Sequence, residues 1–208
     1  MRSTLIAAAA AILCLLAGCV QQQAGTGGGG HPNLIIVRQF TVSPGLVTLD
    51  PSFGFSLNRG EPGVPPRQRA ESVGRAAAFD VADTIGQQLS SLGYDVAQSD
   101  NGGPEPGGRA LIVSGAFRHI DEGRRRRVGA ENASIAADVE IDYQAAGAAP
   151  SRIMSFALDS RQVARGGIIG ATAARGRDIS SAATRLGAAI ARAVNDVTRL
   201  NNWPAAPR

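Results

Sequence analysis

The chain contains no lysine: all 21 of its basic residues are arginine. That excludes every lysine-dependent site, a Walker A loop and Schiff-base chemistry among them, and fits a GC-rich coding sequence. Cysteine and histidine are nearly as scarce, with only Cys14, Cys19, His31 and His119. Both cysteines fall in the N-terminal stretch discussed below, so no thiol pair remains for a disulfide framework or a cysteine metal site. Two histidines at distant positions give no zinc centre either. Aromatic residues make up 4% of the chain, so Ala, Val, Ile and Leu must build the core, and hydrophobic burial alone must hold it. The formal net charge of +4 is modest, and the arginines are interleaved with acids. No nucleic-acid partner is expected from that pattern, and no cofactor.

What is present begins with an export signal. Arg2 supplies a positive start, and Leu5 to Leu16 form an apolar run. About 12 residues at ~1.5 Å rise span roughly 18 Å, too short for a ~30 Å hydrocarbon core. The run ends in Leu16-Ala17-Gly18-Cys19. Small residues before a cysteine suit a peptidase that needs a narrow extended backbone, and the thiol can accept a diacylglyceryl group. Cys19 is therefore read as the lipidated N-terminus of a bacterial lipoprotein, with residues 1–18 its signal peptide. Two or three acyl chains, palmitate among them, would anchor it stably to a membrane. Val20, in place of the Asp that commonly retains lipoproteins at the inner membrane, points to the outer membrane, facing the periplasm.

Residues 19–33 read as a flexible tether, with Gly27 to Gly30 at its heart. Its ~14 residues after Cys19 reach roughly 45–50 Å when stretched, enough to hold a domain clear of the bilayer. A single domain is expected over residues 34–203, with 204–208 as a tail. Leu34 to Phe40 reads as a buried strand, followed by a turn at Pro44-Gly45 and an irregular loop over residues 50–66. From Arg67 to Leu92, Val73, Ala77, Val81, Ile85, Leu89 and Leu92 recur at helical spacing, and Gly93 terminates the helix. A strand begins near Tyr94. Three more are expected at 110–120, 134–144 and 152–161; in the middle one Ile135, Ala137, Val139, Ile141 and Tyr143 alternate with Asp138, Glu140 and Asp142. A second helix runs from Asp178, or a cap at Ser180, to about Leu200, with Ile179, Ala183, Leu186, Ile190, Val194 and Val197 as its stripe. The sum is an α+β domain: a mainly antiparallel sheet of about five strands with two amphipathic helices packed on one face.

The densest chemistry is Arg124-Arg125-Arg126-Arg127, on the connection between two strands. Four arginines could contact an anion or an acidic partner; they could equally be a solvated hairpin tip offset by Asp121 and Glu122. His119 and Asp121 share a strand face, yet no nucleophile elbow or free thiol accompanies them. A hydrogen bond explains them as well as catalysis does. The acidic face of 138, 140 and 142 suits pairing with arginines from adjacent strands. Gly166-Gly167-Ile168-Ile169-Gly170 departs from the known phosphate-loop patterns. No catalytic residue and no metal ligand is assigned.

Gly115-Ala116-Phe117, Ile120-Asp121-Glu122-Gly123 with its arginine run, Val128-Gly129, and a last helix ending near Trp203 resemble the bacterial lipoproteins of the domain-of-unknown-function family numbered 4410. Ala130-Glu131-Asn132 departs from the Gly-rich run expected there. The resemblance implies location and fold, and no established activity. The expectation is a non-enzymatic, lipid-anchored envelope protein acting as a binding or assembly module. Its partners would be the membrane, through the lipid, and an envelope protein not identified by the sequence. The alternative is an auxiliary lipoprotein of an envelope lipid or solute transport system, marked by a hydrophobic groove between the two helices.

Overall fold

Nearly unbroken β-branched sequence makes Leu34–Arg38 the first strand, β1, buried on both faces at Ile35, Ile36 and Val37. The computed structural model describes residues 30–50, 64–100, 107–124, 131–165 and 176–203. The elements that follow are β2 (Val47–Thr48), α1 (Pro66–Ser91), β3 (Val96–Ser99), β4 (Ala110–Asp121), β5 (Ser134–Gln144), β6 (Ser151–Asp159), α2 (Ser160–Arg165) and α3 (Ile179–Leu200).

The α+β class holds, but the sheet is mixed and has six strands, not about five in a mainly antiparallel array. Its order is β3-β1-β4-β5-β6, with β2 also on β4. β1 runs parallel to both β3 and β4, and β2 is parallel to β4. Only β4–β5 and β5–β6 are antiparallel. The cause is the long helix between β1 and β3, which returns the chain to the starting end of the sheet, as in any strand–helix–strand unit. β4 then inserts on the other side of β1. β2 is the continuation of β1 along β4: Thr41 bridges Ala116, and Val47 and Thr48 rejoin at Ile120 and Asp121.

There are three helices, not two, among the described residues. The strand expected to reach residue 161 ends at Asp159, whose Oδ1 accepts the Arg161 N–H at 2.7 Å and turns the chain. Ser160 Oγ accepts the N–H of Ile135 at 2.9 Å, and α2 follows with Val163 buried.

The helical stripes are as the spacing predicts, with one departure. Ala77, Val81, Ile85 and Leu89 of α1 meet Ala183, Leu186, Ile190, Val194 and Val197 of α3 over the sheet face carrying Ile135, Ala137, Val139, Ile141 and Tyr143. Leu92 is 49% exposed, because α1 stops at Ser91 and the chain leaves the stripe through Gly93 at φ +96°. Asp178 caps α3, accepting the Ser181 N–H at 2.8 Å. Where the two helices cross, a Cβ on Gly187 would lie 2.8 Å from Thr84 Cβ and 2.9 Å from the Val81 carbonyl. Only glycine permits that approach. The opposite sheet face carries a smaller apolar cluster of Leu34, Ile36, Ala110 and Ile112.

This topology gives the molecule two distinct ends. At one, β1, β3 and β4 begin, and α1 and α3 finish. Tyr94 there donates to Asn195 Oδ1 and shares a hydrogen bond with Thr198. Tyr143 donates to the Gly30 carbonyl at 2.7 Å and stacks on Trp203 at 5.0 Å. We call this the tether end. At the other, the arginine end, β4 finishes and α1 and α3 start.

Candidate functional site

The arginine end is organised by Ile120-Asp121-Glu122-Gly123. Gly123 takes φ +72°, and a Cβ there would lie 2.3 Å from the Glu131 carbonyl oxygen. A side chain is therefore barred twice over. Asp121 Oδ1 accepts the Gly123 N–H at 2.8 Å, closing the turn. Glu122 Oε2 accepts the buried Asp50 N–H at 2.9 Å and an ion pair from Arg69 on α1. The upstream Gly115 serves packing: a Cβ would lie 2.4 Å from the ring of Phe40, which meets Phe117 at 5.6 Å. The residues that stand out in the sequence here thus hold the fold together and leave Arg124 as the exposed charge among the described residues of the turn.

Arg124 exchanges backbone hydrogen bonds with Glu131 at 2.9 and 3.0 Å, and their side chains pair at 3.5 Å, both more than half exposed. Arg125, Arg126 and Arg127 lie outside the described residues, as do Cys19, Val128-Gly129 and the 166–170 run.

Beside this turn is a feature the sequence reading did not find. The connection between β1 and β2 stands off from the first turns of α1 and leaves a cleft of about 420 Å³. Val42, Pro44, Val47 and Ala70 give it apolar walls, and Arg67, Glu71 and Arg75 line it with charge. Arg67 pairs with Glu71 at 3.3 Å. Pro44-Gly45 marks only a turn in the sequence; that the turn faces a helix follows from the parallel return of the chain, which no local signal carries.

His119 and Asp121 do not form a pair with each other. A register shift between Phe117 and His119 precedes them. His119 Nε2 lies 3.3 Å from Ser134 Oγ, which also accepts from Arg161 at 2.6 Å. Arg161 reaches Asp121 Oδ2 at 3.7 Å. Ser134 is completely buried, so its hydroxyl meets no substrate without opening the sheet.

On the same sheet face, Arg152 donates to Asp142 at 2.7 Å and to Glu140 at 2.6 Å, while Arg118 lies 4.0 Å from Asp138. The hydrogen bond to Asp142 raises the Arg152 pKa above its ordinary value. Among the described residues no three acidic, histidine or cysteine side chains are grouped to hold a metal ion, and no helix is long and apolar enough to cross a membrane. The sequence reading also missed Arg185, a buried cation within α3. Its Nη1 donates to the Gly176 carbonyl at 3.0 Å, and burial lowers its pKa. Its position three residues after Ala182 and four before Ala189, both buried, was the available signal.

No family model matches this chain, and no curated protein matches it. Among solved structures it is similar to a neuraminyllactose-binding hemagglutinin homolog from Helicobacter pylori, at 13% identity and TM-score 0.41, over 85% of this chain and 91% of that one. It is similar also to a Xanthomonas campestris protein of the domain-of-unknown-function family numbered 330, at 9% identity and TM-score 0.34, over 83% and 89%. A hypothetical protein from Chlamydia trachomatis aligns at 14% identity and TM-score 0.29, over 83% and 97%. Likenesses this distant carry no argument about function.

Proposed function

We propose that this protein is a lipid-anchored lipoprotein of the bacterial cell envelope, acting without catalysis as a binding or assembly module. Acylated Cys19 holds it to the membrane, in the outer membrane facing the periplasm, and the arginine end engages an acidic partner. The observation that supports this most is axial. β4 is 12 residues long, so roughly 36 Å separates the point where the tether joins the domain from the Arg124 turn. Arg124 is thus presented away from the anchor. The family resemblance of the sequence is in keeping with this reading.

Crosslinking of intact cells followed by purification tests it, comparing wild type, Cys19→Ala and a variant with residues 124–127 changed to Gln. The expected result is one defined partner set, lost in both variants. Recovery of the same set from all three would sink the assignment of the arginine turn.

The second reading, an auxiliary lipoprotein of a lipid or solute transport system, draws on the cleft instead. α1 and α3 touch directly at Gly187 and Thr84, leaving no groove at that crossing. Apolar walls beside Arg67 and Arg75 suit an amphiphilic anion. Native mass spectrometry of the detergent-extracted protein would then show a bound lipid, lost on Val47→Asp.

A further inference from the structure

We infer that the tether end is a membrane-contacting surface, so that the domain rests on the bilayer instead of hanging clear of it. The inference builds on the lipoprotein reading of Cys19 and adds an orientation to it.

Two of the large apolar side chains left exposed on this molecule stand at this end. Leu92, at the close of α1, is 49% exposed, and Leu200, the last residue of α3, is 72% exposed. They belong to one end because the segments beside them are fastened together: Tyr94 bonds to Asn195 and Thr198. The β5–β6 turn, Ala146 to Pro150, opens at the same end, exposed throughout and without a charge. Arg109 lies against Gly30, and Arg199 is exposed beside Leu200. The acids in this region are Asp95 and Asp196, both exposed. With two arginines offset by two acids, it is the exposed apolar side chains and the uncharged turn that suit this surface to the headgroup layer of a bilayer.

The attachment point selects the lipid surface over any other occupant. Gly30 is held to this end by Tyr143, and Val20 to Gly30 stretch to at most about 36–40 Å. An attachment here keeps this end nearer than the arginine end to the membrane that holds Cys19. At the arginine end the exposed or half-buried side chains of the turn are the charged Asp121, Glu122 and Arg124, and the large exposed apolar side chain beside it is Val64, at 40% less exposed than Leu92 or Leu200.

The test uses the full-length processed protein in vesicles of phosphatidylethanolamine and phosphatidylglycerol. Single cysteines replace Leu92, Leu200 or, as a control at the cleft, exposed Ser43, and each is labelled with an environment-sensitive maleimide fluorophore. Acylated Cys19 takes up no label, so wild type reports separately on the anchor. The expected outcome is blue-shifted emission and several-fold stronger quenching by nitroxide-labelled lipid at positions 92 and 200 than at 43. Equal, water-like emission at all three positions, with wild type unlabelled, overturns the inference and leaves the anchor standing. Labelling of wild type itself would overturn the lipoprotein reading and this inference with it.

Discussion

Arg69 and Glu122, 53 residues apart, close an ion pair that fastens the first turn of α1 to the end of β4. Both side chains are less than a quarter exposed, at 23% and 19%. Glu122 also accepts the buried N–H of Asp50, so its removal takes one partner from a backbone donor and one from a cation together. Glu122→Ala should cost about 2–4 kcal/mol in urea unfolding, and the double change with Arg69→Met less than the sum.

Gly187 sets the distance between the two long helices. Gly187→Ala places a methyl group 2.8 Å from Thr84 Cβ and 2.9 Å from the Val81 carbonyl oxygen. A loss of about 1–3 kcal/mol is expected. Thr84→Ser should not restore it, because the obstructing atoms remain; thermal unfolding of both variants decides.

Ser160 has no exposed role to lose, being 1% exposed with its Oγ turned to the Ile135 N–H. Ser160→Ala leaves a buried donor unpaired and should lower stability by about 1–3 kcal/mol. Hydrogen exchange at the Ile135 amide should accelerate with it.

Charge neutralisation at the arginine turn should behave in the opposite way. The Arg124–Glu131 pair is exposed on both sides, so Arg124→Gln should change the unfolding free energy in urea by less than about 0.5 kcal/mol. A larger loss would mean that the turn is structural and not a contact surface.

Legibility in the sequence followed physical locality. The strand at 134–144 was readable because one face is covered by helices and the other is wet, which forces strict alternation. Ile135 and Val139 are buried while Asp138 is exposed. β1 offered no such signal. Its residues are buried on both faces, and a strand of that kind reads alike whether its neighbours are parallel or antiparallel. Two residues of β2 and six of α2 are too few to display a period. At the arginine end the chain showed charges but not their duties. Glu122 is indistinguishable in sequence from a solvated acid until Arg69 and Asp50 arrive from elsewhere. The same holds for His119, whose partner is Ser134 and not the Asp121 two positions away.

Tyr143 donates its hydroxyl to the Gly30 carbonyl and stacks its ring on Trp203, so two segments far apart in the chain meet on one side chain. A core closed this way is complete only with Trp203 in place over the end of β5. The amphipathic helix α3 thereby seals the sheet and the attachment of Gly30 together, so loss of the Trp203 ring opens both.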